Sequence, residues 1–209
     1  MASKAVQMVC LILGVIGLTG VITCCSLPRW KRIAFTANFV TVQVIYEGLW
    51  MVCVAQSTGQ QQCKVYDYIL SLPFDLQAGR AMIVISCILC GLSLLILFFG
   101  SDLTRCFQNQ GTKAKLSLVA AAGLLLAGLL VIIPVSWSAH TIIRDFYNPM
   151  IMNFQTRDLG VCIYIGWAAG VILILTGVLL CCFSRPRSSS SSGTVKYRRD
   201  SALPYSKLN

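Results

Sequence analysis

The cysteines carry most of the reactive chemistry in this chain of 209 residues. Of its 11 cysteines, only Cys53 and Cys63 lie in a polar segment, whereas the others lie in or beside long apolar runs. An isolated pair facing an oxidising compartment is typical of a disulfide, with two free thiols as the alternative. Cys106, Cys181 and Cys182 follow the ends of apolar runs, where the sequence fits palmitoylation and plain boundary positions equally well.

Catalytic and metal-binding chemistry has few candidates. The single histidine, His140, lies at the boundary of an apolar run, and no His, Cys, Asp or Glu residues have the spacing of metal ligands. The sequence has no phosphate-binding loop and no Gly-x-Ser-x-Gly motif. We therefore expect no enzymatic activity and no cofactor, and we expect the function to lie in the segments between the apolar runs.

Those segments are positioned by four apolar runs without charge. The chain is 56% hydrophobic and only 11% charged, against about a quarter charged in soluble domains. About 20 apolar residues span a bilayer as a helix, which predicts transmembrane helices over 8–27, 81–100, 118–137 and 161–183. The first run lacks a cleavage site and is predicted to be retained. The remaining segments are 1–7, 28–80, 101–117, 138–160 and a disordered tail over 184–209.

The distribution of charge predicts the orientation. If both termini are cytoplasmic, the inner segments hold ten basic residues against two acidic ones, and the outer loops hold seven against five. This asymmetry is typical of the positive-inside pattern. It accounts for the net charge of +10 without nucleic acid as a partner, and it places Cys53 and Cys63 in an outer loop.

The first outer loop has the pattern of a β-sheet. Residues 39–46, 48–55 and 62–68 are strand candidates, because they are rich in β-branched and aromatic residues and are separated by turn residues around Gly59. Cys53 and Cys63 would then face each other across a hairpin, and their bond would fix its register. A short helix is predicted over 69–78, before the second span.

The second outer loop presents two adjacent aromatic residues. Phe146 and Tyr147 precede a turn signal, Asn148-Pro149. Aromatic residues in a small loop indicate contact with another protein. Packing of the rings onto the first loop, or at the lipid interface, is the alternative.

Several of these residues together resemble the claudin family. Trp30, then Gly48-Leu49-Trp50, then Cys53 and Cys63 resemble its signature, and Arg80 stands where the family has an arginine before the second span. Residues 145–149 resemble the second loop of claudins, and residues 56–67 are similar to the first loop of claudins three and four. The resemblance covers roughly residues 1–185. The signature is shared more widely, with peripheral-myelin and epithelial-membrane proteins and with auxiliary subunits of channels and receptors.

The resemblance implies a fold and a function. The fold is a left-handed four-helix transmembrane bundle that carries an extracellular antiparallel sheet of about five strands. The function is that of a structural protein of the plasma membrane at tight junctions, where claudins associate in cis and in trans into strands that close the paracellular space. The alternative is an auxiliary subunit of a channel or receptor in the same membrane.

The resemblance also implies roles for single residues. Ile69 would insert into an aromatic pocket of a neighbouring molecule, formed by Phe146, Tyr147 and Leu159. Lys64 would line the paracellular path, exclude cations and favour anions in any residual conductance, and Asp67 and Asp75 would offset it if they faced the same path. The alternative is that Lys64 is only a solvated surface charge on a tight barrier. The contact in trans would involve Asn148, Pro149 and Met150.

The expected partners are other claudins and membrane lipid. The second loop and the tail bear on two further candidates. The resemblance makes the second loop a candidate site for a bacterial enterotoxin. Most claudins end in Tyr-Val, which docks into PDZ domains, whereas this chain ends in Leu208-Asn209. A terminal Asn does not fill an apolar pocket, so we do not expect scaffold binding through the tail.

Overall fold

The computed structural model describes residues 4–36, 42–56, 59–66, 74–100, 110–147 and 155–184. Four helices are long and apolar enough to cross a membrane, namely α1 Lys4–Ser26, α2 Phe74–Gly100, α3 Gln110–Phe146 and α4 Val161–Ser184. Five strands accompany them: β1 Lys31–Thr36, β2 Val42–Glu47, β3 Met51–Ala55, β4 Gln61–Val65 and β5 Gln155–Leu159. The predicted fold class, four spanning helices with an antiparallel sheet, is confirmed.

Two of the helices extend well beyond their apolar runs. α2 begins at Phe74 rather than at residue 81, and α3 has 37 residues, about 55 Å at 1.5 Å per residue. The hydrocarbon core of a bilayer is only about 30 Å thick, so α2 and α3 are longer than a span across it requires. The predicted short helix over 69–78 is not separate where it is described, because Phe74–Ala78 is the beginning of α2. Residues 69–73 lie outside the described residues.

Small residues bring the helices of the bundle close together. A Cβ atom on Gly128 would lie 2.9 Å from the carbonyl oxygen of Gly170, and one on Gly166 would lie 2.8 Å from the Val135 side chain. Glycine is therefore required where α3 meets α4. Such close approach is how membrane helices associate when lipid supplies no hydrophobic driving force.

The sheet lies at one end of the bundle, here called the sheet end, where α1 and α3 finish and α2 and α4 begin. Its strand order is β4-β3-β2-β1-β5, with antiparallel pairing throughout. The three strand candidates correspond to β2, β3 and β4, and the structure extends β2 to Glu47 and begins β4 at Gln61, one residue beyond the predicted bounds in each case. Residues 39–41 and 67–68 of the candidates lie outside the described residues. The strands β1 and β5 were not singled out by pattern, and β5 brings the second loop into the same sheet as the first.

Candidate functional site

The disulfide is the covalent centre of the sheet. Cys53 on β3 and Cys63 on β4 are direct partners in the strand register, and their sulfur atoms are bonded at 2.02 Å. Cys53 is fully buried. The prediction of a bonded pair across a hairpin is therefore confirmed.

The signature residues join the sheet to the bundle. The Trp30 indole N–H donates a hydrogen bond of 2.8 Å to the carbonyl oxygen of Cys24, on the last turn of α1. Leu49 is buried in the core that the helices form. A Cβ atom on Gly48 would collide with Pro28, so only glycine lets β2 and its following turn pass this close to the end of α1.

Arg80 holds the start of α2 against the hairpin. It is only 7% exposed, and its Nε–H donates to the carbonyl oxygen of Leu49. Its guanidinium carbon lies 5.1 Å from the ring centre of Trp50 and 5.3 Å from that of Tyr66, within the range of cation–π attraction. Burial, followed by the charge of Glu47, raises the pKa of the Tyr66 phenol, and Arg80 partly opposes this. In the described part of the chain, Nη2 of Arg80 has no hydrogen-bond acceptor.

Lys64 lies on the outermost strand of the sheet. All five residues of β4 are exposed, and Lys64 follows the bonded Cys63 directly and stands opposite Val52. The backbone is held by the disulfide while the side chain reaches outward. The proposed charge partner, Asp67, lies outside the described residues.

The second-loop aromatics lie at the end of α3. The rings of Phe146 and Tyr147 are perpendicular, with centres 5.7 Å apart, and are 42% and 74% exposed. The structure thus brings these two residues together and buries neither of them. Leu159 behaves differently, because it is half-buried on β5 and packs against the core of the bundle.

Other predicted site residues are not described or lie far from the sheet. The structure does not describe Ile69, Asn148, Pro149, Met150, Cys106 or the tail. At the end of α4 that lies opposite the sheet, Cys181 is half-buried and Cys182 is exposed. Palmitoylation therefore stays a prediction, for which Cys182 has the more accessible thiol.

Sequence reasoning missed an ion-pair cluster at the sheet end. The Lys31 ammonium on β1 lies 3.7 Å from the Asp145 carboxylate on α3 and 4.0 Å from that of Glu47 on β2. It thereby links three elements. The signal available in the sequence was Lys31 itself, a basic residue just beyond the end of the first apolar run.

Sequence reasoning also missed Gly160, which joins β5 to α4. Its N–H donates a hydrogen bond of 3.0 Å to the carbonyl oxygen of Trp30, and a Cβ atom there would overlap the carbonyl group of Arg29. A glycine directly before an apolar run was the only indication of this close approach in the sequence.

Comparison with known proteins agrees with this architecture. Residues 4–180 match the model of the PMP-22/EMP/MP20/Claudin family. The chain is 52% identical to claudin-4 of Chlorocebus aethiops over 189 residues, which is 90% of each chain. It is 51% identical to claudin-3 of Homo sapiens over 183 residues, which is 87% of this chain and 83% of that one. The similarity to claudins three and four, predicted from the first loop, is confirmed.

Proposed function

Because the chain belongs to the PMP-22/EMP/MP20/Claudin family, we propose that it is a structural tight-junction protein that assembles into strands and forms a paracellular barrier. Half of its residues are shared with claudin-4 and claudin-3 over most of their length. The observation that carries the proposal is a disulfide-bonded sheet that stands out from a four-helix bundle and exposes its edge strand. A structural role, not a catalytic one, accords with this family.

The proposed orientation places the sheet outside the cell and both termini in the cytoplasm. A structural disulfide persists in an oxidising compartment, and the bonded pair lies at the sheet end. The excess of basic residues in the segments at the opposite end favours the same orientation. Protease protection of a tagged N-terminus in intact cells would test it, and cleavage of that tag from outside would contradict it.

Lys64 is proposed to make the barrier exclude cations, with any residual conductance favouring anions. An ammonium about 4 Å from a passing cation repels it by about 1 kcal/mol in bulk water and by about 4 kcal/mol at an effective dielectric constant of 20. Since about 1.4 kcal/mol is tenfold in an equilibrium constant, a partly hydrated path would still disfavour cations. Asp67 would reduce this effect if its carboxylate faced the same path.

The test is Lys64→Asp in an epithelial layer, with dilution potentials as the measurement. We expect the permeability ratio of sodium to chloride to rise severalfold. Lys115→Asp is the matched control, because Lys115 is exposed near the opposite end of the bundle and should leave the ratio unchanged. If Lys64→Asp reaches the junction and the ratio does not change, the side chain does not line the path.

Lateral assembly is proposed to insert Ile69 into a pocket of a neighbouring molecule that is formed by Phe146, Tyr147 and Leu159. The exposure of both rings supports a contact there, and burying an isoleucine stabilises an interface by roughly 1.5–3 kcal/mol. Ile69→Ala should therefore shorten the strands seen by freeze-fracture without reducing delivery to the surface. Val65→Ala is the control, since Val65 is an exposed apolar residue on β4. Unchanged strands in Ile69→Ala would contradict this contact.

The contact between cells is proposed to involve Asn148, Pro149 and Met150, which follow the exposed Tyr147. The auxiliary-subunit hypothesis predicts a different distribution in the cell. Transfected fibroblasts should concentrate the protein at bicellular contacts if it is a junction protein. A diffuse surface distribution, with altered currents through another channel, would contradict the junction role.

A further inference from the structure

A groove of about 310 Å³ opens beside the sheet, between the first turns of α2 and the last turns of α3. Its walls are mostly apolar, and they include Phe74, Ala78 and Met82 from α2 and Pro134, Trp137 and Ile142 from α3. This volume lies at the lower end of the range for small-ligand sites. The residues proposed for strand assembly and ion selectivity do not account for it.

The groove lies at the depth of a lipid headgroup. A Cβ atom on Gly166 would lie close to both Val135 and the Cys24 sulfur, so α1 ends near the level of Pro134. α1 has 23 residues, about 35 Å in length, just enough for a hydrocarbon core of about 30 Å. From Pro134 the groove continues to Ile142, about 12 Å further along α3. Its lower end thus meets the hydrocarbon boundary and the rest lies in the headgroup layer.

The polar rim of the groove favours a ligand that carries both a positive and a negative charge. Glu47, Asp75 and Lys31 line the groove, so two carboxylates accompany one ammonium. The Phe74 side chain is 81% exposed, and Trp137 is also exposed. Aromatic faces and carboxylates together bind quaternary ammonium ions.

From this arrangement we propose that the groove binds the phosphocholine headgroup of a phospholipid from the leaflet at the sheet end. The choline lies between the two carboxylates and the rings of Phe74 and Trp137. The Lys31 ammonium, which has three N–H donors, lines the groove and donates to the phosphate. The apolar end near Pro134 and Met82 holds the first methylene groups of an acyl chain.

A phosphocholine lipid fits these features better than a second copy of the chain. A groove at this depth adjoins lipid directly, and its small volume suits a headgroup more than a protein segment. The inference concerns lipid and does not depend on strand formation or on ion selectivity. The proposed binding differs from the general contact of the apolar helices with lipid, because the groove must discriminate between headgroups.

The test measures lipid retention by the full chain. The protein is exchanged into micelles that contain equimolar phosphatidylcholine, phosphatidylethanolamine and phosphatidylglycerol, and bound lipid is counted by native mass spectrometry. We expect phosphatidylcholine to exceed each of the other lipids at least fivefold. The double variant Glu47→Gln with Asp75→Asn removes the rim charge, Ala78→Leu fills the groove, and each should abolish this preference.

Val119→Leu is the matched control, because Val119 is an exposed apolar residue on α3 away from the groove, and it should retain the preference. Equal retention of the three lipids would overturn the proposal and leave only non-selective surface lipid. A preference that survives in both the charge variant and Ala78→Leu would overturn it as well. So would a cross-link from a photoreactive residue at position 78 to a second copy instead of to lipid.

Discussion

The two edge strands of the sheet are held in opposite ways. β5 is fixed by the bundle, because Gly160 donates to the Trp30 carbonyl oxygen at 3.0 Å, Leu159 packs against the core and α4 follows at once. β4 is exposed along its whole length. It is held by β3, by the disulfide and, just beyond its end, by a hydrogen bond of 3.4 Å from the Tyr66 N–H to the Trp50 carbonyl oxygen.

The two edges of the sheet therefore differ in role: β5 attaches the sheet to the bundle, and β4 presents side chains to the surroundings. Residues near β5 contact the helices, so a change there disturbs the geometry that the bundle imposes on the sheet. Side chains on β4 reach outward from a backbone that is pinned covalently. Lys64, on this exposed strand, is therefore the residue at which the proposed selectivity is best tested.

The largest expected effect is loss of the β4 edge in Cys53→Ser. Closing a loop of about ten residues with a disulfide contributes roughly 2–3 kcal/mol in the chain-entropy model. Hydrogen exchange should become faster in β3 and β4 and stay slow in β1, β5 and the helices. Cys182→Ser, a change at an exposed cysteine far from the sheet, should leave exchange unchanged. Faster exchange spread evenly over the whole sheet would show that the two edges are not independent.

The β5 edge should be sensitive to a single methyl group. In Gly160→Ala the new Cβ would overlap the Arg29 carbonyl group, and overpacking against backbone costs about 1–3 kcal/mol. We expect the thermal midpoint in detergent to fall by several degrees. The same substitution at Gly91, where the added carbon would have no neighbour within 4 Å beyond its own stretch of helix, should leave the midpoint unchanged or raise it. Equal midpoints for Gly160→Ala and the parent chain would mean that β5 is not tightly fixed.

The helices could be predicted from sequence because a bilayer demands long apolar runs without charge. Their ends could not, since the terminal turns of α2 and α3 carry polar residues such as Asp75 and Lys113. Tertiary contacts decide whether such turns remain helical, as the packing of Arg80 on Trp50 illustrates.

Local pattern and tertiary contact likewise divide the residues of the site. Cys53 and Cys63 could be predicted to pair because they are the two cysteines that lie neither in nor beside the apolar runs. The hairpin could be predicted because its strands are rich in β-branched residues. β5, with the sequence Gln-Thr-Arg-Asp-Leu, has no alternating pattern and forms because β1 offers it an edge. The partnership of Lys31 with Asp145 joins the two loops, so it follows from the fold and not from spacing.

The smallest expected effect is that of the ion pair between Lys31 and Asp145. It tests whether electrostatics contribute to holding the β5 edge of the sheet. Asp145→Asn removes a carboxylate 3.7 Å from the Lys31 ammonium, but Glu47 still lies 4.0 Å from it. Both side chains of the pair are partly exposed, and measured couplings of exposed pairs are roughly 0.2–1 kcal/mol. A double-mutant cycle of Asp145→Asn with Lys31→Met should therefore give a coupling below about 1 kcal/mol that declines in 1 M salt, where the screening length is about 3 Å. Asp158→Asn, a change at an exposed carboxylate on β5, should show no coupling to Lys31→Met. A coupling above about 2 kcal/mol would mean that the pair, and not the Gly160 backbone contact, fixes this edge of the sheet.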